Sequence, residues 1–138
     1  MVRDIVHSKL LLRQPSEPAT PADASVGQDL LDTLAAHADE CVGMAANMIG
    51  ARKRVIVFHD EATGTDVIMY NPRIMRRTGE YTATEGCLSL PGVREATRWR
   101  TITVEFDDKG FRHRTRSYSG WTAQIIQHEI DHCDGILI

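Results

Sequence analysis

The chain has 138 residues, 42% of them hydrophobic and 25% charged, with a formal net charge of −3. That length reads as a single domain over residues 1–138, long enough to bury a core without staples. The acidic balance excludes a generic nucleic-acid binder, no apolar run approaches the ~18 residues of a membrane span, and Leu10-Leu11-Leu12 is too short for a signal-peptide core, so a cytoplasmic protein is expected.

Residues Ile5 to Leu12 are mixed, an extended arm or a short turn. Pro15, Pro18 and Pro21 then mark a loop. Leu30, Leu31, Leu34, Ala35, Ala38, Cys41 and Val42 recur at helical spacing, with Asp29, Asp32, His37 and Asp39 opposite, and Gly43 is expected to end that helix. Val55 to Phe58 and Val67 to Tyr70 read as strands, joined by the turn-like Glu61-Ala62-Thr63-Gly64. Ile102 to Phe106 is a third strand. Asp107-Asp108-Lys109-Gly110 turns it into Phe111 to Ser117, a hairpin. Arg112, Arg114 and Arg116 alternate, so they share one face of a solvated edge strand. The last element, Thr122 to His132, is a helix. Strands followed by a late helix indicate α+β, not alternating βαβ. Cys41, Cys87 and Cys133 are odd in number and form no C-x-x-C pair, so no disulfide is expected and each is by default a small core residue.

The chemistry concentrates in His128-Glu129-Ile130-Asp131-His132. Two histidines four residues apart lie on one face of a helix and can converge on one ion. Glu129, beside the first, can reach a water on that ion. Ile125, Ile126 and Ile130 make the helix largely apolar, and a buried glutamate between two histidines needs a reason. A catalytic site requires a third protein ligand and an open position. Cys133 and Asp134 point off the histidine face, so the third ligand comes from upstream: His7, His37, His59, His113, Cys41 or Cys87.

Cys87 has a distinctive setting, Glu85-Gly86-Cys87-Leu88-Ser89-Leu90-Pro91-Gly92. With the terminal H-E-I-D-H, this stretch resembles the motifs of the peptide deformylases. Gly43-Met44-Ala45-Ala46-Asn47-Met48-Ile49-Gly50 is similar to that family's glycine- and alanine-rich first motif. The three fall in the family's order, and the resemblance covers about residues 5–138. It implies an α+β fold of antiparallel and mixed sheets around a central H-E-x-x-H helix, with an N-terminal helix. It also implies that Cys87, His128 and His132 bind one divalent ion, natively Fe2+, with Zn2+, Ni2+ or Co2+ as other occupants; thiolate plus two imidazoles suits all four. Cys41 and Cys133 stay core residues.

The implied activity is removal of the N-formyl group from N-formylmethionyl peptides or nascent chains, releasing formate. Glu129 would act as general base and then acid. The backbone N–H of Leu88 would face the oxyanion. Gly43, Met48, Glu85, Gly86, Arg94 and Ile125 are the implied substrate contacts. Glu85 is also expected to pair with a downstream arginine, Arg98, and so buttress the metal helix. The C-terminal extension that docks some members on the ribosome is not present, so ribosome docking is not expected. Ile136 to Ile138 would pack as a terminal strand.

Two positions depart from the family pattern. Met48 stands where the family carries a glutamine whose amide donates to the oxyanion, and methionine has no donor. Losing one such donor costs about 10²- to 10³-fold in kcat. Slowed deformylation is therefore expected, the alternative being a metal- and peptide-binding homologue with little turnover. The neighbouring amide of Asn47 is expected to point elsewhere. Among Trp121, Gln124 and Ile125, which would form the wall for the substrate's methionine, Gln124 introduces an amide.

Overall fold

The apolar run from Val55 to Phe58 is buried on both sides. The computed structural model, which describes residues Met1–Ile138, places it in strand β2 (Val55–Asp60) between two helices. Alternate strand residues face opposite ways. Ile56 and Phe58 pack with Ile126 and Ile130 of helix α3 (Gly120–Cys133), while Val55 and Val57 pack with Leu30 and Leu34 of helix α2 (Ala24–Ala36). Two helix-covered faces explain a continuous apolar run where a half-exposed strand would alternate.

The other elements are α1 (Lys9–Leu12), β1 (Gly43–Ala45), a 3₁₀ turn (Ala46–Ile49), β3 (Thr65–Cys87), β4 (Leu90–Asp107) and β5 (His113–Ser119). The strands form one five-stranded sheet in chain order, and every neighbouring pair is antiparallel. The α+β class holds, but the mixed sheets do not. The only parallel pairing is an isolated bridge, Glu17 with Lys53. The physical reason lies in the connections: each strand returns beside its predecessor, and no crossover is available to align two in parallel. As expected, β5 with Arg114 and Arg116 is an exposed edge strand.

Three expectations about boundaries need correction. Helix α2 ends at Ala36 with His37 as its cap, and Gly43 begins β1 instead of ending the helix. Gly43 is needed for close approach: a Cβ there would sit 2.8 Å from Ile125 Cγ2 and 2.9 Å from Glu129 Oε2. Strands β3 and β4 run far beyond their apolar segments, through register shifts at Tyr70/Arg73 and Ile74/Arg76. Pro72 sits in the first of these, where a missing N–H is tolerated. The terminal residues form no strand. The Ile136 N–H bonds back to the Asp131 carbonyl and the Gly135 N–H to that of His132, with Gly135 at φ 75°. That pattern is the left-handed glycine ending of a helix, and it uses the chain a strand would need.

Helix α3 is tied to the β3–β4 hairpin by charge. Arg98 on β4 bonds Glu85 of β3 through Nη2 at 2.6 Å and Nε at 3.0 Å, and bonds Asp131 of α3 through Nη1 at 2.7 Å. Arg98 and Glu85 are both buried. This is the pairing foreseen for Arg98.

Two outcomes follow from this packing. A Cβ at Gly27 of α2 would lie 2.0 Å from the Tyr70 hydroxyl oxygen and 2.6 Å from Ile68 Cδ1. Tyr70 is itself buried and stacked on Phe111, with ring centroids 4.1 Å apart, which limits its room to yield. Gly27→Ala gains about 1 kcal/mol of helix propensity but overpacks a core, at about 1–3 kcal/mol. The urea midpoint of the variant should therefore fall. Burial alone would raise the Glu85 carboxyl, but hydrogen bonds from His128 and Arg98 outweigh it and hold the group down from 4.5 to about 2. A depressed carboxylate contributes stability above its unfolded value and loses it as pH falls through the folded one. In the metal-free chain, the urea midpoint should drop between pH 4.5 and pH 2 more steeply for the native sequence than for Glu85→Gln.

Candidate metal centre and active site

Cys87 stands at the tip of the β3–β4 hairpin. Its pairing with Leu90 leaves Leu88 and Ser89 as a two-residue turn, just after a register shift at Gly86/Cys87. The Ser89 N–H points at Cys87 Sγ from 3.4 Å. His128 and His132 project toward this tip from α3. The three ligand atoms all lie within 4.8 Å of one another. Cys87 Sγ is 3.3 Å from His132 Nε2, which is 3.1 Å from His128 Nε2. A tetrahedral ion with ordinary bond lengths would hold sulfur and nitrogen about 3.6 Å apart and the two nitrogens about 3.4 Å apart. The residues therefore suit a single small ion once their side chains adjust about it.

The His128 imidazole is aimed by a partner, while His132 Nδ1 is buried without one. His128 Nδ1 meets Glu85 Oε1 at 2.9 Å, which turns Nε2 toward the cluster. The Asn47 side chain donates to the backbone carbonyl of His132 at 2.9 Å, so its amide does point elsewhere, pinning the first motif to the metal helix. Burial, and then the neighbouring positive charge of His128, pushes His132 down to about 3, leaving its ring neutral and its lone pair available. Burial would lower His128 too, but the Cys87 sulfur and the Glu85 carboxylate drive it up to about 10. Its Nε2 proton must leave before an ion can bind, so metal uptake releases a proton.

Glu129 is buried, with no partner for Oε1. Burial pushes it up to about 7, where a carboxyl can both take and return a proton near neutral pH. It faces a cleft of about 540 Å³. Of the residues singled out in the sequence, Gly43, Met48, Glu85, Gly86, Cys87, Leu88, Ile125, His128 and Glu129 line this cleft, while His132 is fully buried behind it. Glu85 lines the cleft, and its two carboxylate oxygens are bonded by Arg98, His128 and Gln124. Arg94 lies across from Glu85 on β4, outside the cleft lining, with Nη1 buried and unpartnered. Met48 is buried, and its sulfur accepts the Ala45 N–H at 3.5 Å.

The other histidines do not reach the cluster. His7 contacts the Ser89 carbonyl at 2.8 Å, and His37, His59 and His113 pair with Glu40, Asp66 and Glu105. Cys133 is fully buried, as expected; Cys41 is half-buried, packing against the core beside α2 and also lining the cleft. Burial first, and then the charge of Glu129, pushes its thiol up to about 12, so it stays protonated in the metal-free chain, and it is not part of the three-residue ligand cluster. Gln124 lines the cleft beside Trp121 and Ile125 as expected, but its link to Glu85 and its partner Tyr81 escaped sequence reasoning. Gln124 donates to Glu85 at 2.9 Å and accepts from the Tyr81 hydroxyl at 3.0 Å. The signal was spacing: Gln124 is one helical turn before His128, and Tyr81 is four strand residues before Glu85.

The comparisons agree with this geometry. The sequence profile of the polypeptide deformylase family matches residues 2–138. A peptide deformylase of Clostridium beijerinckii is 46% identical over 139 residues, covering 100% of both chains. Peptide deformylase 2 of Clostridium acetobutylicum is 37% identical over 92% of this chain and 85% of its own. The crystal structure of peptide deformylase from Thermus thermophilus superposes with a TM-score of 0.86 at 34% identity, covering 99% of this chain and 83% of that one. The deformylase of the Vibrio parahaemolyticus bacteriophage VP16T, solved with actinonin, gives a TM-score of 0.87 at 29% identity over 98% and 99% of the two chains. With its cluster of metal-ligating side chains, its buried glutamate and these relatives, the chain belongs to the polypeptide deformylase family.

Proposed function

We infer that the chain hydrolyses the formyl amide of N-formylmethionyl peptides to formate and a free amino terminus, using Cys87, His128 and His132 to hold one divalent ion. One observation carries this reading: three ligand atoms within 4.8 Å of one another beside a buried, unpartnered glutamate oxygen in an open cleft. Fe2+ is the proposed native occupant, although the donor set suits Zn2+, Ni2+ and Co2+ as well. Such an ion lowers the pKa of water and polarises a carbonyl.

The remaining steps belong to the protein. β1 pairs with β2 alone, and Gly43 lines the cleft, so an extended peptide can be received between Gly43 and Gly86. Ile125 and Gln124 wall the space beside the metal helix. Glu129 takes a proton from the attacking water and passes it to the departing nitrogen as the C–N bond breaks. The Leu88 N–H, next to the Cys87 ligand, is assigned to the developing oxyanion. Glu85 holds His128 Nδ1, keeping Nε2 toward the ion. Arg94 is the proposed contact for the peptide beyond its first residue.

The decisive assay is formate release from formyl-Met-Ala-Ser by protein loaded anaerobically with Fe2+ or Ni2+. Glu129→Ala should lose at least about 10²-fold in kcat, the range of a positioned acid–base, while keeping its metal; equal rates in the two proteins would sink the assignment. Cys87→Ala should purify with a metal-to-protein ratio well below that of the native chain, and undiminished binding would remove Cys87 from the site. Met48→Gln tests the altered oxyanion side. A glutamine there can accept the Ala45 N–H with its carbonyl, as the sulfur now does, and turn its amide toward the cleft. We expect kcat to rise about tenfold or more, part of the range measured for one restored donor. An unchanged kcat would make Met48 neutral.

A further inference from the structure

Gln124 is fixed by both ends of its amide yet keeps one hydrogen unused. Its Oε1 accepts from the Tyr81 hydroxyl at 3.0 Å, and its Nε2 donates to Glu85 Oε2 at 2.9 Å. Glu85 is in turn locked by Arg98 and His128. The side chain therefore cannot swing away without breaking two bonds. An amide nitrogen carries two hydrogens, so one N–H has no protein partner. Gln124 is partly exposed, and it lines the cleft with Val42, Leu88, Trp121 and Ile125.

Its distance from the reacting atoms suits a substrate side chain. Gln124 and His128 are four residues apart on α3 and line the same cleft, so they stand about 6 Å apart along the helix axis. A formyl carbon placed at the metal cluster is joined to the sulfur of its methionine by five bonds, a reach of about 6 Å at ordinary bond lengths and angles. The end of the first side chain thus falls beside Gln124. A thioether is only a weak acceptor for the free N–H, whereas a sulfoxide oxygen is a strong one.

We propose that Gln124 is a specificity-determining residue that lets the cleft accept a first side chain bearing a hydrogen-bond acceptor, methionine sulfoxide being the concrete case. The apolar residues around it still suit plain methionine. Tyr81 is the positioning residue: its hydroxyl sets which way the amide faces. This assignment rests on the deformylase reading and extends it from formyl-methionine peptides to formyl-methionine sulfoxide peptides. The hydrolysis is unchanged, with water consumed and formate released.

The test compares three peptides, formyl-Met-Ala-Ser, formyl-norleucyl-Ala-Ser and formyl-methionine-sulfoxide-Ala-Ser, on the Ni2+-loaded full chain. Norleucine matches methionine in shape and offers no acceptor. The readout is the kcat/KM ratio of sulfoxide to norleucine in the native chain, Gln124→Met and Tyr81→Phe. One neutral hydrogen bond is worth about 0.5–1.5 kcal/mol, so the ratio should fall about 2- to 12-fold in Gln124→Met and in the same direction in Tyr81→Phe. A purely structural role, through Glu85 and the metal, would lower all three rates together and leave the ratio unmoved, which overturns the proposal. The same ratio is read without turnover from the Kd values of the unformylated sulfoxide and norleucine peptides, by quenching of tryptophan fluorescence. If no peptide yields formate but the Kd ratio shifts, the deformylase reading fails and the subsite stands. If formate is released but neither ratio shifts, the subsite fails alone.

Discussion

A single buried carboxylate organises the site. Glu85 Oε1 receives His128 Nδ1 and Arg98 Nη2, and Oε2 receives Arg98 Nε and Gln124 Nε2. A charge removed from water is tolerated only when its lone pairs are met in this way, and removing one partner of such a pair typically costs about 3–5 kcal/mol. The four contacts join three elements: Glu85 closes β3, Arg98 lies on β4, and Gln124 and His128 are on α3. The same contacts therefore set where the helix packs, which way a metal ligand faces, and how one cleft wall is oriented. Fold and chemistry share one electrostatic joint, and neither can be altered there alone.

The first motif is held from the opposite side. Asn47 grips the His132 carbonyl, and Gly43 lies so close to Ile125 and Glu129 that any side chain would collide. Behind both, β2 is pressed between α2 and α3. The acid–base and both histidines are thus carried by one helix whose position is over-determined by a core, a backbone contact and an ion pair. Rigid support of this kind keeps a catalytic carboxylate within reach of its proton without thermal search.

Much of this was readable in the residues. The i, i+4 histidines could only share a face, whereas Cys87, one of six upstream candidates by residue type, was singled out by the resemblance of its neighbours to a deformylase motif. The Arg98 partnership with Glu85 came from family pattern and not from spacing. What escaped were features that depend on tertiary closure. The extent of β3 and β4 was hidden because exposed charged residues such as Arg76, Arg77 and Glu80 carry no apolar alternation to count. Gly43 looked like a helix stop, since its real reason for being glycine lies far along the chain, in Ile125 and Glu129. Cys41 fitted a helical stripe until the chain turned at His37 and brought it to the cleft instead. The terminal isoleucines suggested a strand, but Gly135 had already committed the chain to a helix ending.

The hairpin tip that carries Cys87 has a thermodynamic side. It meets the helix ligands across forty-one residues of chain, from Cys87 to His128. A bound ion therefore acts as a reversible cross-link between two parts of the fold that local structure does not connect. Because the unfolded chain has no such site, occupancy adds stability as RT ln(1 + [M]/Kd), about 4 kcal/mol at a thousandfold excess over Kd. An ion held by Cys87 would add to the hold that Glu85 and Arg98 already give the hairpin on α3. Metal supply would then bear on how long the fold resists proteolysis.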